Sequence, residues 1–269
     1  MIIKERISIS VKDHIADVKM IRSDKMNALD NDMIEALIEA GEVLAKDGDV
    51  RVAVISGEGR GFCAGLDLSM FKIPDGDESI LGDKLAPRTH GIANKPQKCV
   101  WTWRELPVPV IAAVHGVAIG GGLHIMLGAD IRYIHPDTKC AIMEMKWGII
   151  PDLSTSQIMI HSVREDIIRE LCYTNRIFSG VDAQKYGFAT HVTHSPYDEA
   201  MALAEVIAAK NPDAIQSAKK LLNEAPYLNQ ADGLLLESEL QDQLIGSPNQ
   251  IAAVMASMMK QKGQFKNAR

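Results

Sequence analysis

Three consecutive glycines, Gly120-Gly121-Gly122, constrain this chain more than any other feature. They follow an apolar run over 108–114 that reads as a buried strand, and they open a helical pattern reaching about Leu127. With no Cβ on any of them, another backbone or a ligand can approach the start of that helix closely. The first N–H groups of a helix lack intrahelical partners and carry the positive end of its dipole, so such a start suits an oxyanion. Close packing of the helix on a neighbouring segment would use the same glycines, and the pattern leaves both uses open.

A second glycine-rich segment, Gly57-Glu58-Gly59-Arg60-Gly61, ends a short strand pattern over 50–55. Gly57 and Gly59 have the spacing of a dinucleotide turn, but Phe62 stands where the third glycine would be. The chain also lacks the Gly-Lys-Ser/Thr of a phosphate loop. Both observations count against a nucleotide fold.

The remaining pattern is a β-α core followed by helices. Ile7, Ile9 and Val11 alternate with polar residues, Lys12-Asp13-His14 offers a turn, and 15–20 resumes an extended pattern, predicting an opening hairpin. Apolar spacing over 31–46 predicts a helix with Asp30 or Asn31 as N-cap. A third strand is expected over 130–134, and helices over 199–210, 212–224, 230–244 and 248–260. No internal repeat is evident, which removes solenoids and propellers. With 46% hydrophobic and 24% charged residues the chain has an ordinary globular balance. Its net charge of −6 disfavours broad attraction to nucleic acid or anionic membrane. Cys63, Cys99, Cys140 and Cys172 form no C-x-x-C pair and have no zinc-finger spacing, so reduced thiols and no metal are expected. A charged N-terminus and the lack of any apolar run of about 18 residues lead us to expect a cytoplasmic protein that does not cross a membrane.

Four ordered blocks then carry a resemblance: Asp24-Lys25-Met26-Asn27-Ala28-Leu29, Gly61-Phe62-Cys63-Ala64-Gly65-Leu66-Asp67-Leu68, the strand with its triple glycine, and the segment from Glu144 to Pro151. Over nearly its whole length the sequence resembles the crotonase, or enoyl-CoA hydratase/isomerase, family. The resemblance implies an α/β fold, a crotonase-type spiral of ββα turns over residues 1–197 with a C-terminal helical region for trimerisation over 198–269. It implies an oxyanion hole made by the backbone N–H groups of Leu66 and Gly121. It implies an acyl-CoA substrate, with coenzyme A along Lys25, Ala28, Ala64, Asp67 and Leu68 and with Gly120 also among the substrate-binding residues. Coenzyme A belongs to the substrate, so no cofactor is implied; the assembly implied is a trimer or a dimer of trimers. Lys25 is the expected phosphate contact, although Lys25 and Arg60 also suit ordinary solvated positions.

The same resemblance narrows the reaction. Family hydratases carry one glutamate two residues after the triple glycine and another shortly before a Gly-x-x-Pro turn. Here the first position is His124 and the second is Glu144, four residues before Gly148. Asp152 follows the turn, where hydratases usually carry glycine, and the pair Glu144 and Asp152 looks like that of a dienoyl-CoA isomerase. Two carboxylates on opposite walls of an acyl slot can remove a proton at one end of a conjugated system and return one at the other. Double-bond isomerisation is therefore the expected activity. Hydration of a 2-enoyl-CoA is the alternative, followed by a non-catalytic acyl-CoA-binding protein and by hydrolase, decarboxylase or dehalogenase chemistry on the same hole. His124 is a candidate for binding water or shuttling a proton, or else a packed, hydrogen-bonded structural histidine. Asp152 equally suits a turn or helix cap before Ser154. Loops such as 71–98 are expected to line the acyl pocket.

Overall fold

The computed structural model of the protein describes residues 1–70 and 84–268. The chain opens with β1 (Ile2–Ile3), β2 (Ile7–Lys12) and β3 (Ile15–Met20), all antiparallel neighbours. Asp13 and His14, with φ of 51° and 67°, make the expected turn, both in the left-handed region that a two-residue hairpin of this twist requires. Helix α1 (Asn31–Lys46) begins where the Asp30 side chain accepts the Met33 N–H at 2.8 Å. Its buried face, Met33, Leu37, Ala40 and Leu44, has helical spacing and packs on the core. The chain returns as β4 (Val52–Gly57), parallel to β3.

Of the segment expected to be acyl-pocket loop, residues 71–83 lie outside the described residues, and Lys95–Glu105 is helix α2. Asn94 and Gln97 form a reciprocal capping box with Pro96 in the first turn, a local start signal that the sequence reading passed over. Then come β5 (Val110–Val114), β6 (Val117–Ile119), α3 (Gly121–Gly128), β7 (Ile131–Ile134) and β8 (Lys139–Ala141). Strands β4, β5 and β7 run parallel side by side, while β6 and β8 pair as a separate small sheet. Every residue of α3 is buried. A Cβ on Gly122 would lie 2.2 Å from the Cys63 carbonyl oxygen, so close packing requires glycine there.

A short 3-10 helix over Glu144–Trp147 leads to α4 (Thr155–Met159), α5 (Glu165–Thr174), α6 (Gly180–Tyr186) and the edge strand β9 (His191–Val192). Helix α7 (Pro196–Ala208) covers the second face of the main sheet, where Ala200, Ala204 and Ala208 meet Ile15, Val52, Val54, Ile111, Ala113 and Tyr133. Helices α8 (Pro212–Glu224), α9 (Gln230–Leu244) and α10 (Pro248–Met258) complete the helical C-terminal region. Lys219 ties α8 to the core, buried against Asp130 at 2.9 Å and donating to the Val108 carbonyl at 2.9 Å. The outer faces of α9 and α10 expose Leu234, Leu235, Val254, Met255 and Met258. Among the described residues no helix is long and apolar enough to cross a membrane.

Candidate active site

The site is built where the loop 63–68 crosses the start of α3. Cys63 donates its N–H to Val117 at 3.0 Å and accepts from Ile119 at 3.1 Å, extending the edge of β6. On its other side the loop bonds to the segment before α1, Leu29 N–H to Gly65 O at 2.8 Å and Asp67 N–H to Leu29 O at 2.9 Å. These bonds straddle Leu66 and leave its N–H without a protein acceptor among the described residues. The Gly121 N–H, in the first turn of α3, is likewise without one. Gly65 has φ of +89°, and a Cβ there would lie 2.5 Å from the Ile119 carbonyl oxygen and 3.7 Å from the Gly121 nitrogen. Glycine is thus required at the crossing that draws the two free donors into one cleft.

That cleft, of about 640 Å³, is lined by Lys25, Ala28, Ala64, Leu66, Asp67, Leu68, Gly120, Gly121 and Glu144, all expected from the sequence. It is lined also by Met26, Ile119, Lys139, Met143, Lys146, Trp147 and Ile177, which were not. Lys139 reaches the cleft because β8 pairs in register with Val117, in a strand too short for alternation to reveal it. Lys146 lies two residues beyond Glu144 in the same short helix, and that proximity was its available signal. Arg60 is exposed and lies outside this wall. His124 and Asp152, the two other candidates, do not line the cleft.

Buried polar groups stiffen the walls. Asn27, fully buried, donates from Nδ2 to the carbonyls of Glu58 at 3.0 Å, Gly61 at 3.0 Å and Phe62 at 3.1 Å, tying the segment before α1 to the first glycine loop. Asp67 accepts from Arg22 at 2.6 Å and from the Ser69 N–H at 2.9 Å, and these contacts hold its carboxyl at about 2. Arg22 also donates to the Ala28 carbonyl at 3.0 Å, so one guanidinium braces both loops of the cleft.

Glu144 is 8% exposed, and burial, with Asp152 as a further negative neighbour, pushes its carboxyl up to about 7. A Cβ on Gly120 would lie 2.9 Å from Glu144 Oε1, so the missing side chain is what lets the carboxyl rest on the start of α3. Asp152 is raised by burial too. It caps no helix: the N-cap of α4 is Ser154, in the left-handed region with φ of 62°, and no side chain caps the helix. His124 lies behind Glu144, fully buried, with Nε2 3.5 Å from Oε1, and burial lowers its imidazole to about 3. It is packed, as one reading allowed, but its ring has no hydrogen bond among the described residues. The four cysteines are free and buried, and the described residues contain no group of three or more His, Cys, Asp or Glu arranged for a metal.

Comparison with known proteins bears directly on this cleft. The pattern of the family Enoyl-CoA hydratase/isomerase matches residues 10–268. The peroxisomal Delta(3,5)-Delta(2,4)-dienoyl-CoA isomerase of Arabidopsis thaliana is 30% identical over 249 residues, 91% of this chain and 90% of that one. The mitochondrial dienoyl-CoA isomerase of Mus musculus is 31% identical over 218 residues, 78% of this chain but only 66% of that protein's length. Mouse methylglutaconyl-CoA hydratase is 29% identical over 248 residues, 89% of this chain and 76% of that one. Among solved structures, Pseudomonas aeruginosa DspI superposes with a TM-score of 0.87 at 25% identity, covering 99% of this chain and 98% of that one. The enoyl-CoA hydratase of Bacillus anthracis does so with 0.85 at 24%, covering 97% and 99%, which establishes a shared fold. The architecture is therefore crotonase-type α/β with a C-terminal helical region. The chain belongs to the enoyl-CoA hydratase/isomerase family and is an enzyme of that family.

Proposed function

We propose that the protein moves double bonds within a fatty acyl-CoA thioester, converting a 3,5-dienoyl to a 2,4-dienoyl thioester. The observation that carries this reading is Glu144 in the same cleft as the free N–H of Gly121, with a second carboxyl, Asp152, behind the cleft wall and close enough to act on it electrostatically, both raised by burial. In this reading the thioester oxygen accepts from the N–H groups of Leu66 and Gly121 as the enolate forms, each donor stabilising it by about 3 kcal/mol. One carboxylate takes a proton from carbon and the other carboxyl returns one at the far end of the conjugated system. Burial holds Glu144 near 7, where a carboxyl can both accept and donate close to neutral pH. The dienoyl-CoA isomerases at 30% and 31% identity support the choice.

Coenzyme A would run along Lys25, Ala28, Ala64, Asp67 and Leu68, with Lys25, Lys139 and Lys146 as the cations available to its phosphates. The exposed apolar residues of α9 and α10 support the trimer, or dimer of trimers, as the assembly. A cytoplasmic location is part of the proposal, supported by four buried unpaired thiols; cell fractionation separates it from the mitochondrial and peroxisomal locations named for the relatives. Hydration of a 2-enoyl-CoA is the second reading, favoured by the similarity to methylglutaconyl-CoA hydratase. Incubation with a 3,5-dienoyl thioester tests the first: appearance of the conjugated 2,4-diene absorbance supports it, and an inert substrate overturns it.

A further inference from the structure

Behind Glu144 lies an ionisable group that the cleft does not expose. His124 stands in α3 with Nε2 3.5 Å from Glu144 Oε1. Both ring nitrogens, and Glu144 Oε2, are sealed from solvent and have no hydrogen-bond partner among the described residues. Buried polar atoms are nearly always satisfied, so orphans on two adjoining side chains call for one explanation. Water does not reach the ring, because neither nitrogen has appreciable accessible area. As placed, His124 offers neither ring nitrogen to the cleft. A bond between the two side chains needs the gap to close by only about half an ångström, and such contacts often tighten when substrate fills a site.

We propose that His124 is a positioning residue for Glu144, donating Nε2–H to its carboxylate and holding it against Gly120. The proposal rests on the reading of Glu144 as the acid/base. Burial and the positive end of α3 keep the imidazole neutral, so it orients the carboxylate without forming an ion pair. An imidazolium would instead trap Glu144 as a carboxylate; a neutral donor leaves it able to gain and lose a proton near neutrality. The titratable groups on the elements packed around the pair are Asp152, which raises Glu144 further, the cleft lysines, and the thiols of Cys63, Cys99, Cys140 and Cys172, which burial keeps protonated. Removing His124 takes away a contact that favours the charged form of Glu144.

Full-length protein labelled with ¹⁵N in its histidine rings tests this without any substrate, His124 being assigned by its loss in His124→Gln. Its ring should remain the neutral Nε2–H tautomer throughout, with one shift step near pH 7 that disappears in Glu144→Gln. In turnover of the dienoyl thioester, His124→Leu should raise the apparent pKa of kcat/KM by about one pH unit and lower kcat with little change in KM. His124→Gln, which keeps an N–H to offer, should recover most of both. A His124 resonance that does not respond to Glu144, or a His124→Leu enzyme with an unmoved pH profile, would overturn the proposal. If His124→Leu does not fold, the labelled wild type decides. A clear ring response in a protein that leaves dienoyl thioesters untouched would refute the substrate assignment alone.

Discussion

Replacing Glu144 by glutamine should stabilise the protein, and should do so only at the alkaline side of its titration. The folded chain holds the Glu144 proton up to about 7, against 4.5 for the free carboxyl, because ionising it would leave a charge in a buried wall. Below 4.5 the group is protonated in both states and contributes nothing. As pH rises past 4.5 the unfolded chain releases its proton first, so the folded state loses relative stability until about pH 7, above which the cost is constant. That full cost is about 3 kcal/mol, and most of it falls between pH 5 and pH 8.5. Glutamine has the same shape and no charge. The melting temperature of Glu144→Gln minus that of the wild type, measured without ligand, should therefore grow by about 5–10 °C between those two pH values. A difference that stays within about 2 °C would refute the claim that Glu144 is held neutral by burial. The same substitution should lower turnover by about 10²–10⁴-fold, with acyl-CoA binding retained.

Two further outcomes follow from the cleft and one from the exposed C-terminal helices. In Gly121→Val the new Cβ would lie 2.6 Å from Leu29 Cδ1 and 3.1 Å from Leu153 Cδ1, displacing the N–H from the thioester; kcat should fall by about 10²–10³-fold while circular dichroism keeps the native spectrum. Arg22→Leu unpairs the carboxylate of Asp67 and frees the Ala28 carbonyl; calorimetry should show acyl-CoA affinity weakened by about tenfold and urea stability lowered by about 1–3 kcal/mol. Sedimentation should give trimers or hexamers, and a particle near the 29.4 kDa of one chain at micromolar concentration would end the trimer proposal.

Much of this was legible where local physics acts alone. The hairpin over Ile7–Met20, the Asp30 cap of α1 and the spans of α8 and α9 follow from alternation, capping and 3.6-residue spacing. The triple glycine announced a helix start open to close approach, and the required absence of Cβ at Gly120 and Gly122 gives that opening its geometry. Helix α2 follows a loop-like stretch and opens with Lys95-Pro96, so periodicity alone does not separate it from that loop, although Asn94 and Gln97 hold a start signal. Strands β6 and β8 are three residues each, too short for periodicity, and with them went Lys139. The contact of His124 with Glu144 joins two elements, and no spacing rule encodes it. The same holds for Arg22, whose partner Asp67 lies in a different loop.

The central claim is that protons move between carbon atoms here without water being added, using Glu144 together with Asp152. Both can be read in one experiment that follows a 3,5-dienoyl thioester in ¹⁸O-labelled water with wild type, Asp152→Asn and His124→Ala. The account predicts rapid appearance of the conjugated 2,4-diene, no ¹⁸O in the product, and a loss of orders of magnitude in Asp152→Asn that exceeds the loss in His124→Ala. Rapid ¹⁸O uptake into a 3-hydroxyacyl product by the wild type, with Asp152→Asn still active, would contradict it and make the enzyme a hydratase.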